Sequence, residues 1–263
     1  MAMTDAILDH PDIQRVLFHP RRDYGYEEPG VHSVAVEVEP GVTLGGRLYA
    51  TDDPRSPAVL YYHGNGEIAA DYDDIADLYT QMGIALLVMD YRGYGTSSGT
   101  PTPSNLISDA NTLFAGLSDI FAAYDLSPAH LYVMGRSLGS VPAIEIALNG
   151  GKRLSGLIIE SGFADTFGLL ERLGLQAQGV NEEQHGFGNA QKMERITMPT
   201  LILHGRNDVL IPPADGQALH DHCAASDKHL VLIPGAGHND IMLVGMKHYF
   251  EAIRSFVFGN EEH

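Results

Sequence analysis

The stretch that most constrains this chain runs from Leu131 to Leu148 and reads LYVMGRSLGSVPAIEIAL. A short apolar run, Leu131 to Met134, has the make-up of a buried parallel strand. Gly135-Arg136-Ser137-Leu138-Gly139 follows at once, and Val141, Ile144 and Leu148 then begin a helical pattern. Strand, abrupt turn and helix in succession, with a serine on the turn, is the nucleophile-elbow arrangement. The flanking glycines give the turn backbone freedom and let strand and helix approach closely. Ser137 is then held at the carboxyl end of a strand with its hydroxyl in a crevice. The helix that follows brings unpaired N–H groups and a positive dipole end beside it. The pentapeptide also occurs in ordinary turns, so its meaning depends on the rest of the chain.

That rest is a repeated strand–helix order. Residues 1–30 carry Pro11, Pro20, Pro29, Gly25 and Gly30 and read as a short helix or irregular arm anchored by Phe18, Tyr24 and Tyr26. Val34, Val36 and Val38 alternate as a strand, Pro40-Gly41 turns, and Thr43 to Ala50 returns as the second arm of an edge hairpin. Ala58–Tyr62, Ile84–Met89, Leu131–Met134, Leu154–Ile159, Leu201–Leu203 and Leu230–Ile233 complete eight strands. Helices are expected over Ala69–Met82, from a cap at Ser104 or Asn105 with Leu106, Ala110, Leu113 and Leu117 inward, from Pro213 to Leu219, and over Leu243–Phe258. In the last, Met246, Phe250, Ile253 and Val257 are the apolar positions. Residues 161–198 are less periodic, with a short helix near Phe167–Leu173, and read as an excursion over the mouth of a site. Such an order predicts one domain: a mostly parallel sheet with helices on both faces and ligand groups at the carboxyl ends of its strands.

Four chemically rich loops fall at those ends, after Tyr62, Met134, Leu203 and Ile233. A serine needs a base to act as a nucleophile at neutral pH, and imidazole suits that work. His238, in Gly-His-Asn-Asp before the last helix, is the expected base. Asp208, in His-Gly-Arg-Asn-Asp after the preceding strand, is the expected orienting acid. The order Ser137, Asp208, His238 is the hydrolase order. Glu160 and Asp165 are rival acids; Asp240 is read as a cap of the last helix or a surface group. Two backbone donors must face a developing oxyanion. Leu138 N–H follows the nucleophile, and Asn65 N–H lies in His63-Gly64-Asn65-Gly66 after a central strand. The acidic run Glu67, Asp71, Asp73, Asp74 and Asp77 supports a helix amino terminus, with a second reading in which it makes the cleft negative.

With those stretches in hand, the sequence resembles the α/β-hydrolase superfamily, and more narrowly the Bem46-like and alpha/beta-hydrolase-domain-17 groups of serine hydrolases. The resemblance is carried by YYHGNGE (61–67), DYRGYGTSSGTP (90–101), MGRSLGSVPA (134–143), LHGRNDVLIPP (203–213) and PGAGHND (234–240), and it covers about residues 31–258. It implies an α/β-hydrolase fold: a mostly parallel eight-stranded sheet with an antiparallel second strand, flanked by helices, with a short lid-like excursion. It assigns Ser137, Asp208 and His238 as nucleophile, acid and base, Asn65 and Leu138 as oxyanion donors, and Arg92 as a loop brace paired with a carboxylate. The substrate expected for such a triad is a small-molecule acyl ester or thioester. A peptidase or amidase with the same triad, and a noncatalytic binder on the same scaffold, are the alternatives. Lipid-anchored relatives carry an amino-terminal cysteine cluster that this sequence lacks, so anchoring and depalmitoylation do not carry over.

Composition narrows the class further. The 263 residues are 44% hydrophobic and 19% charged, with 34 acidic against 16 basic side chains and a formal charge of −18. No basic patch suggests nucleic acid as a partner. A single cysteine, Cys223, allows no internal disulfide and suits a reducing, cytoplasmic setting. The start, MAMTDAILDHP, lacks the features of a secretory signal. No stretch approaches the roughly 18 apolar residues of a membrane span, so integral membrane association is not expected. No metal or other cofactor is required: the histidines are scattered, and Gly93, Gly95 and Gly99 do not have dinucleotide-binding spacing. Acyl length and oligomeric state leave no signature.

Overall fold

Alternation and turn chemistry produce the hairpin where the sequence places it. His32–Glu39 (β1) runs antiparallel to Val42–Tyr49 (β2), and Gly41 takes a positive φ of 80° in the turn. Ala58–Tyr62 (β3), Ala85–Met89 (β4), Leu131–Arg136 (β5), Gly156–Glu160 (β6), Thr200–Gly205 (β7) and Lys228–Ile233 (β8) follow. In this computed structural model, which describes residues 7–24 and 30–259, they form one eight-stranded sheet ordered β1-β2-β4-β3-β5-β6-β7-β8. β2 is antiparallel to both neighbours and every other pairing is parallel. Strands β3, β4 and β6 are buried at every residue, which is why their sequences are continuous apolar runs.

The helices are Pro11–Leu17 (α1), Asp73–Gln81 (α2), Pro103–Ala115 (α3), Leu117–Ala122 (α4), Ser140–Gly150 (α5), Thr166–Arg172 (α6), Glu182–His185 (α7), Asn189–Met193 (α8), Pro213–His222 (α9) and Ile241–Phe258 (α10). Alternate strand residues feed two cores. Leu60, Leu87, Val133, Ile159 and Ile202 pack with Leu113 of α3, Ile144 of α5 and Leu219 of α9. Tyr61, Val88, Met134, Ile158 and Leu203 pack on the other face with Tyr79 of α2 and Tyr249 and Ile253 of α10. Each such aliphatic side chain contributes roughly 1.5–3 kcal/mol by leaving water.

Several boundaries move for identifiable reasons. The helix expected over 69–82 opens as a 3₁₀ turn, Ala69–Tyr72, before α2. The cap of α3 is Thr102, not Ser104 or Asn105. Thr102 Oγ1 accepts from Asn105 N (3.1 Å), and Asn105 Oδ1 accepts from Thr102 N (2.8 Å), with Pro103 in the first turn. Gly116 divides α3 from α4, although Leu106, Ala110, Leu113 and Leu117 are all buried as expected. In the amino-terminal arm Phe18 is buried, but Tyr24 is 97% exposed and anchors nothing. Tyr26 lies outside the described residues. A short lid-like insertion carrying α6 and α7 lies between β6 and β7, in the stretch expected to make an excursion. Its last helix, α8, lies against α5 and α9 with Met193 fully buried.

Helix α10 holds the clearest departure. Met246 is 47% exposed, because the inward positions are Gly245, Tyr249, Phe250, Ile253 and Val257. Gly245 leaves helical geometry (φ −115°, ψ 23°), and a Cβ there would overlap the Ile233 side chain. Alanine in a helix interior ordinarily gains about 0.5–1 kcal/mol over glycine. Here overpacking, about 1–3 kcal/mol, outweighs it, since the stiff β-branched Ile233 cannot swing aside. Gly245→Ala should therefore lower unfolding free energy by about 1 kcal/mol in urea denaturation; a stabilised variant would contradict the packing described.

Candidate active site

Strand register assembles the site. Tyr62 lies opposite Gly135, Arg136 opposite Glu160, Glu160 opposite Leu203, and Gly205 opposite Ile233. The chain segments beyond those residues therefore leave the sheet side by side at the carboxyl ends of its parallel strands. Ser137 begins the 3₁₀ turn Ser137–Gly139 with φ 52°, a left-handed conformation that costs a non-glycine residue about 1–3 kcal/mol. Neighbouring contacts hold it there. A Cβ on Gly135 would overlap the Gly139 carbonyl, and one on Gly139 would overlap the Tyr62 carbonyl. Ser140 Oγ donates to the Ser137 carbonyl at 2.7 Å.

Ser137, His238 and Asp208 are brought together. His238 Nε2 lies 3.1 Å from Ser137 Oγ, and His238 Nδ1 lies 2.7 Å from Asp208 Oδ2. An ionised carboxylate only accepts, so Nδ1 carries the proton and Nε2 is free to accept from the serine hydroxyl. Asp208 Oδ1 accepts from Leu210 N (3.0 Å) and Ile211 N (2.8 Å). Burial alone would raise the Asp208 pKa, but the hydrogen bonds from His204, His238 and the Ile211 N–H win, and hold it far below the ordinary carboxylate range. His204, fully buried, donates from Nε2 to the Ile211 carbonyl at 2.7 Å and lies 3.4 Å from Asp208 Oδ2.

The expected oxyanion donors sit on the adjoining loops. Leu138 is in the turn itself, and Asn65 is three residues past the end of β3. The Asn65 side chain serves as a tether. Its Oδ1 accepts from His19 N and Tyr94 Oη, both at 2.8 Å, and its Nδ2 lies 2.8 Å from His19 Nδ1. The amino-terminal arm thus fastens this loop, helped by Arg21 on Asp71 (2.6 Å) and on the Gly66 carbonyl (3.1 Å).

The rival acids have other partners. Glu160 is wholly buried and accepts from Arg136 Nε (3.0 Å), Tyr249 Oη (2.7 Å) and Tyr61 Oη (3.3 Å). Asp165 caps α6, and Asp240 stands at the N-cap of α10 but turns back to accept from Gly237 N at 2.6 Å. Arg92 braces its loop as the resemblance implied, with a two-pronged pair to Asp109 (2.7 Å each) and a contact to Glu39 (2.6 Å). The acidic run does not leave an unopposed negative cleft: Glu67 pairs with Arg136, Asp71 with Arg21, and Asp73 with Arg47.

The residue that sequence reasoning missed is Arg136. It is 5% exposed and sits between Glu67 and Glu160. Its signal was present: an arginine closing an otherwise apolar strand has to be paired. Among the described residues no cluster of three or more His, Cys, Asp or Glu is placed to hold a metal ion, and no helix is long and apolar enough to cross a membrane.

Comparison with known proteins adds to this geometry. The family described as serine aminopeptidase, S33, matches residues 53–167 and 188–242. Alpha/beta hydrolase domain-containing protein 17B of Homo sapiens is 32% identical over 203 residues, which are 76% of this chain and 65% of that protein. The chain thus spans just under two thirds of that relative's length. An uncharacterized protein of Mycobacterium tuberculosis is 28% identical over 232 residues, 87% of this chain and 80% of its own. Among solved structures, the Pyrococcus furiosus esterase Pf2001 superposes with a TM-score of 0.71 at 20% identity, covering 90% of this chain and 97% of that one. The Paleococcus ferrophilus monoacylglycerol lipase gives 0.60 at 18% identity, covering 81% and 98%. At those identities the solved structures speak for the fold.

The backbone contact beneath the serine turn is directly testable. In Gly139→Ala the new methyl meets the carbonyl oxygens of Tyr62, the last residue of β3, and of His63 just beyond it, and that backbone cannot rotate aside as a side chain could. Unfolding free energy should fall by about 1–3 kcal/mol; a change below about 0.5 kcal/mol, the scatter of neutral surface substitutions, would contradict the close approach.

Proposed function

We propose that this chain, which belongs to the serine aminopeptidase S33 family within the α/β-hydrolase superfamily, hydrolyses a carboxylic ester or thioester through Ser137, His238 and Asp208. Family membership makes it a serine hydrolase; the residue roles and the substrate class are our reading. The observation that carries them is the unbroken chain from Ser137 Oγ through His238 to Asp208, with contacts of 3.1 and 2.7 Å. His238 Nε2 takes the Ser137 proton as Oγ attacks the acyl carbon. The Asn65 and Leu138 N–H groups receive the oxyanion. His238 returns the proton to the departing alcohol or thiol, and then activates the water that releases the acyl group. Asp208, charged throughout, keeps Nδ1 protonated and stabilises the imidazolium.

Charge pairing favours an ester over an amino-terminal peptide. An aminopeptidase must hold its substrate's ammonium, for which a free carboxylate is the natural partner. Several carboxylates of the elements around the site have partners of their own. Glu67 and Glu160 face Arg136, Asp208 faces His238, Asp215 faces Arg172, and Glu182 receives Thr166 and Gly188. Apolar exposure points the same way. Four of the six large hydrophobic side chains exposed among the described residues, Val209, Leu243, Val244 and Met246, lie in the segments just after the acid and the base. Those side chains suit an uncharged, lipophilic substrate. We assign the insertion carrying α6 and α7 to the role of a lid over this mouth.

Fluorophosphonate labelling across pH tests the assignment. The wild type should label at Ser137, and Ser137→Ala should not label. Because the Asp208 pKa is held far below the ordinary carboxylate range, its protonation should add no second ionisation to the pH profile of labelling. Asp208→Asn should label slower by about 10³-fold or more, since the wrong imidazole tautomer then faces the serine. Labelling at another residue, or an acid limb requiring two protons, would overturn the assignment.

A further inference from the structure

Arg136 immediately precedes Ser137 in the chain, and its side chain falls on the same sheet face as Tyr132 and Met134 by strand alternation. Its guanidinium reaches three other segments. Nε donates to Glu160 Oε1 on β6 at 3.0 Å, and Nη1 pairs with Glu67 Oε1 in the loop after β3. Nη2 donates to the His238 carbonyl at 2.9 Å and to Asn239 Oδ1 at 3.0 Å. The acceptors are themselves held. Glu67 Oε2 receives Gly64 N and Tyr72 Oη, both at 2.8 Å, and Glu160 Oε2 receives Tyr249 Oη of α10 at 2.7 Å. A Cβ on Gly64 would overlap Arg136 Nη1, so the guanidinium also lies against the backbone next to Asn65.

One guanidinium faces two carboxylates, Glu160 fully buried and Glu67 partly so, and tyrosine hydroxyls and the Gly64 amide occupy further lone pairs. Burial would raise the Glu67 pKa, but the Arg136 charge, aided by His63 and the Gly64 N–H, keeps it below the usual range. A structural brace would need only these ion pairs. Arg136 does more, because two of its bonds go to the loop that presents His238. Its backbone leads directly into Ser137, so one residue fixes both ends of the 3.1 Å contact between serine and imidazole. A misplacement of about 1 Å in such a contact is enough to cost about 10²-fold in rate.

We propose that Arg136 is a positioning residue for proton transfer between Ser137 and His238, its planar fork seating the 236–240 loop against the serine turn and the Asn65 loop. This rests on the reading of Ser137 as nucleophile and His238 as base. Lysine preserves the charge but presents a single nitrogen, which cannot serve acceptors on three segments at once.

The test compares Arg136→Lys, Asn239→Ala and the double variant by fluorophosphonate labelling per folded molecule, with kcat and KM on one p-nitrophenyl ester and near-ultraviolet circular dichroism at the assay temperature. Arg136→Lys should label about 10²-fold slower, with kcat falling in parallel and KM within about threefold. Asn239→Ala, which leaves the buried charges intact, should slow labelling less. The double variant should be no slower than Arg136→Lys, because both changes release the same loop contact. If Arg136→Lys does not fold, Asn239→Ala decides alone. Wild-type rates per folded molecule in the folded variants, or losses that multiply in the double variant, would overturn the positioning role while leaving the site reading intact. A wild type that never labels Ser137 would overturn the site reading, and the positioning role with it.

Discussion

A serine with a left-handed backbone, pinned between two glycines, is the constraint on which this structure turns. At φ 52° Ser137 occupies a conformation that side chains other than glycine seldom keep. It persists because the chain has nowhere else to go: Gly135 and Gly139 press against each other, and Gly139 against the carbonyl of Tyr62. Strand β5 therefore passes into α5 with almost no connecting loop. The hydroxyl is left at the strand's end instead of inside either core, and the amino-terminal N–H groups of the following helix are close by. The cost of that turn is met by the sheet, whose central strands are buried on both faces.

Once the turn is fixed, parallel register does the assembling. Residues 62, 136, 160 and 205 end neighbouring strands, so groups tens of residues apart meet without long loops. Beneath them lies a largely buried polar layer in which Arg136, Glu67, Glu160 and the tyrosines at 61, 72 and 249 satisfy one another. Burial pushes the three phenols upward, so they stay neutral donors to the carboxylates. Low dielectric makes each of these bonds strong and each omission costly. The same logic keeps Asp208 ionised: three donors, the Leu210 and Ile211 N–H groups and His238 Nδ1, converge on a carboxylate that water hardly reaches.

Much of this was legible because it is local. An apolar run followed by Gly-x-Ser-x-Gly announces its own turn, and histidine or aspartate just after an apolar run marks a strand's end. The sheet, the edge hairpin and the residues of the proposed triad came from such signals. What stayed hidden depends on partners far along the chain. Arg136 finds its acceptors 69, 24 and 103 residues away, and nothing local says which. For the acidic run after Asn65, nothing local shows that Arg21, Arg47 and Arg136 come from three other segments to pair with Asp71, Asp73 and Glu67, which removes the second reading of a negative cleft. Met246 fitted a helical stripe, but the kink at Gly245 set which face of α10 meets the sheet. The expected cap, Ser104 or Asn105, falls two or three residues late because Asn105 is the reciprocal member of the capping box that Thr102 opens.

The central claim is that Ser137 carries the acyl group during turnover. Mixing the protein with a p-nitrophenyl ester, quenching in acid within the first turnover and mapping the digest by mass spectrometry reads this directly. The account predicts a rapid release of nitrophenol and an acyl mass on the peptide that contains Ser137. Turnover with no acyl-protein at any quench time, or with the acyl group on a different side chain, would contradict it.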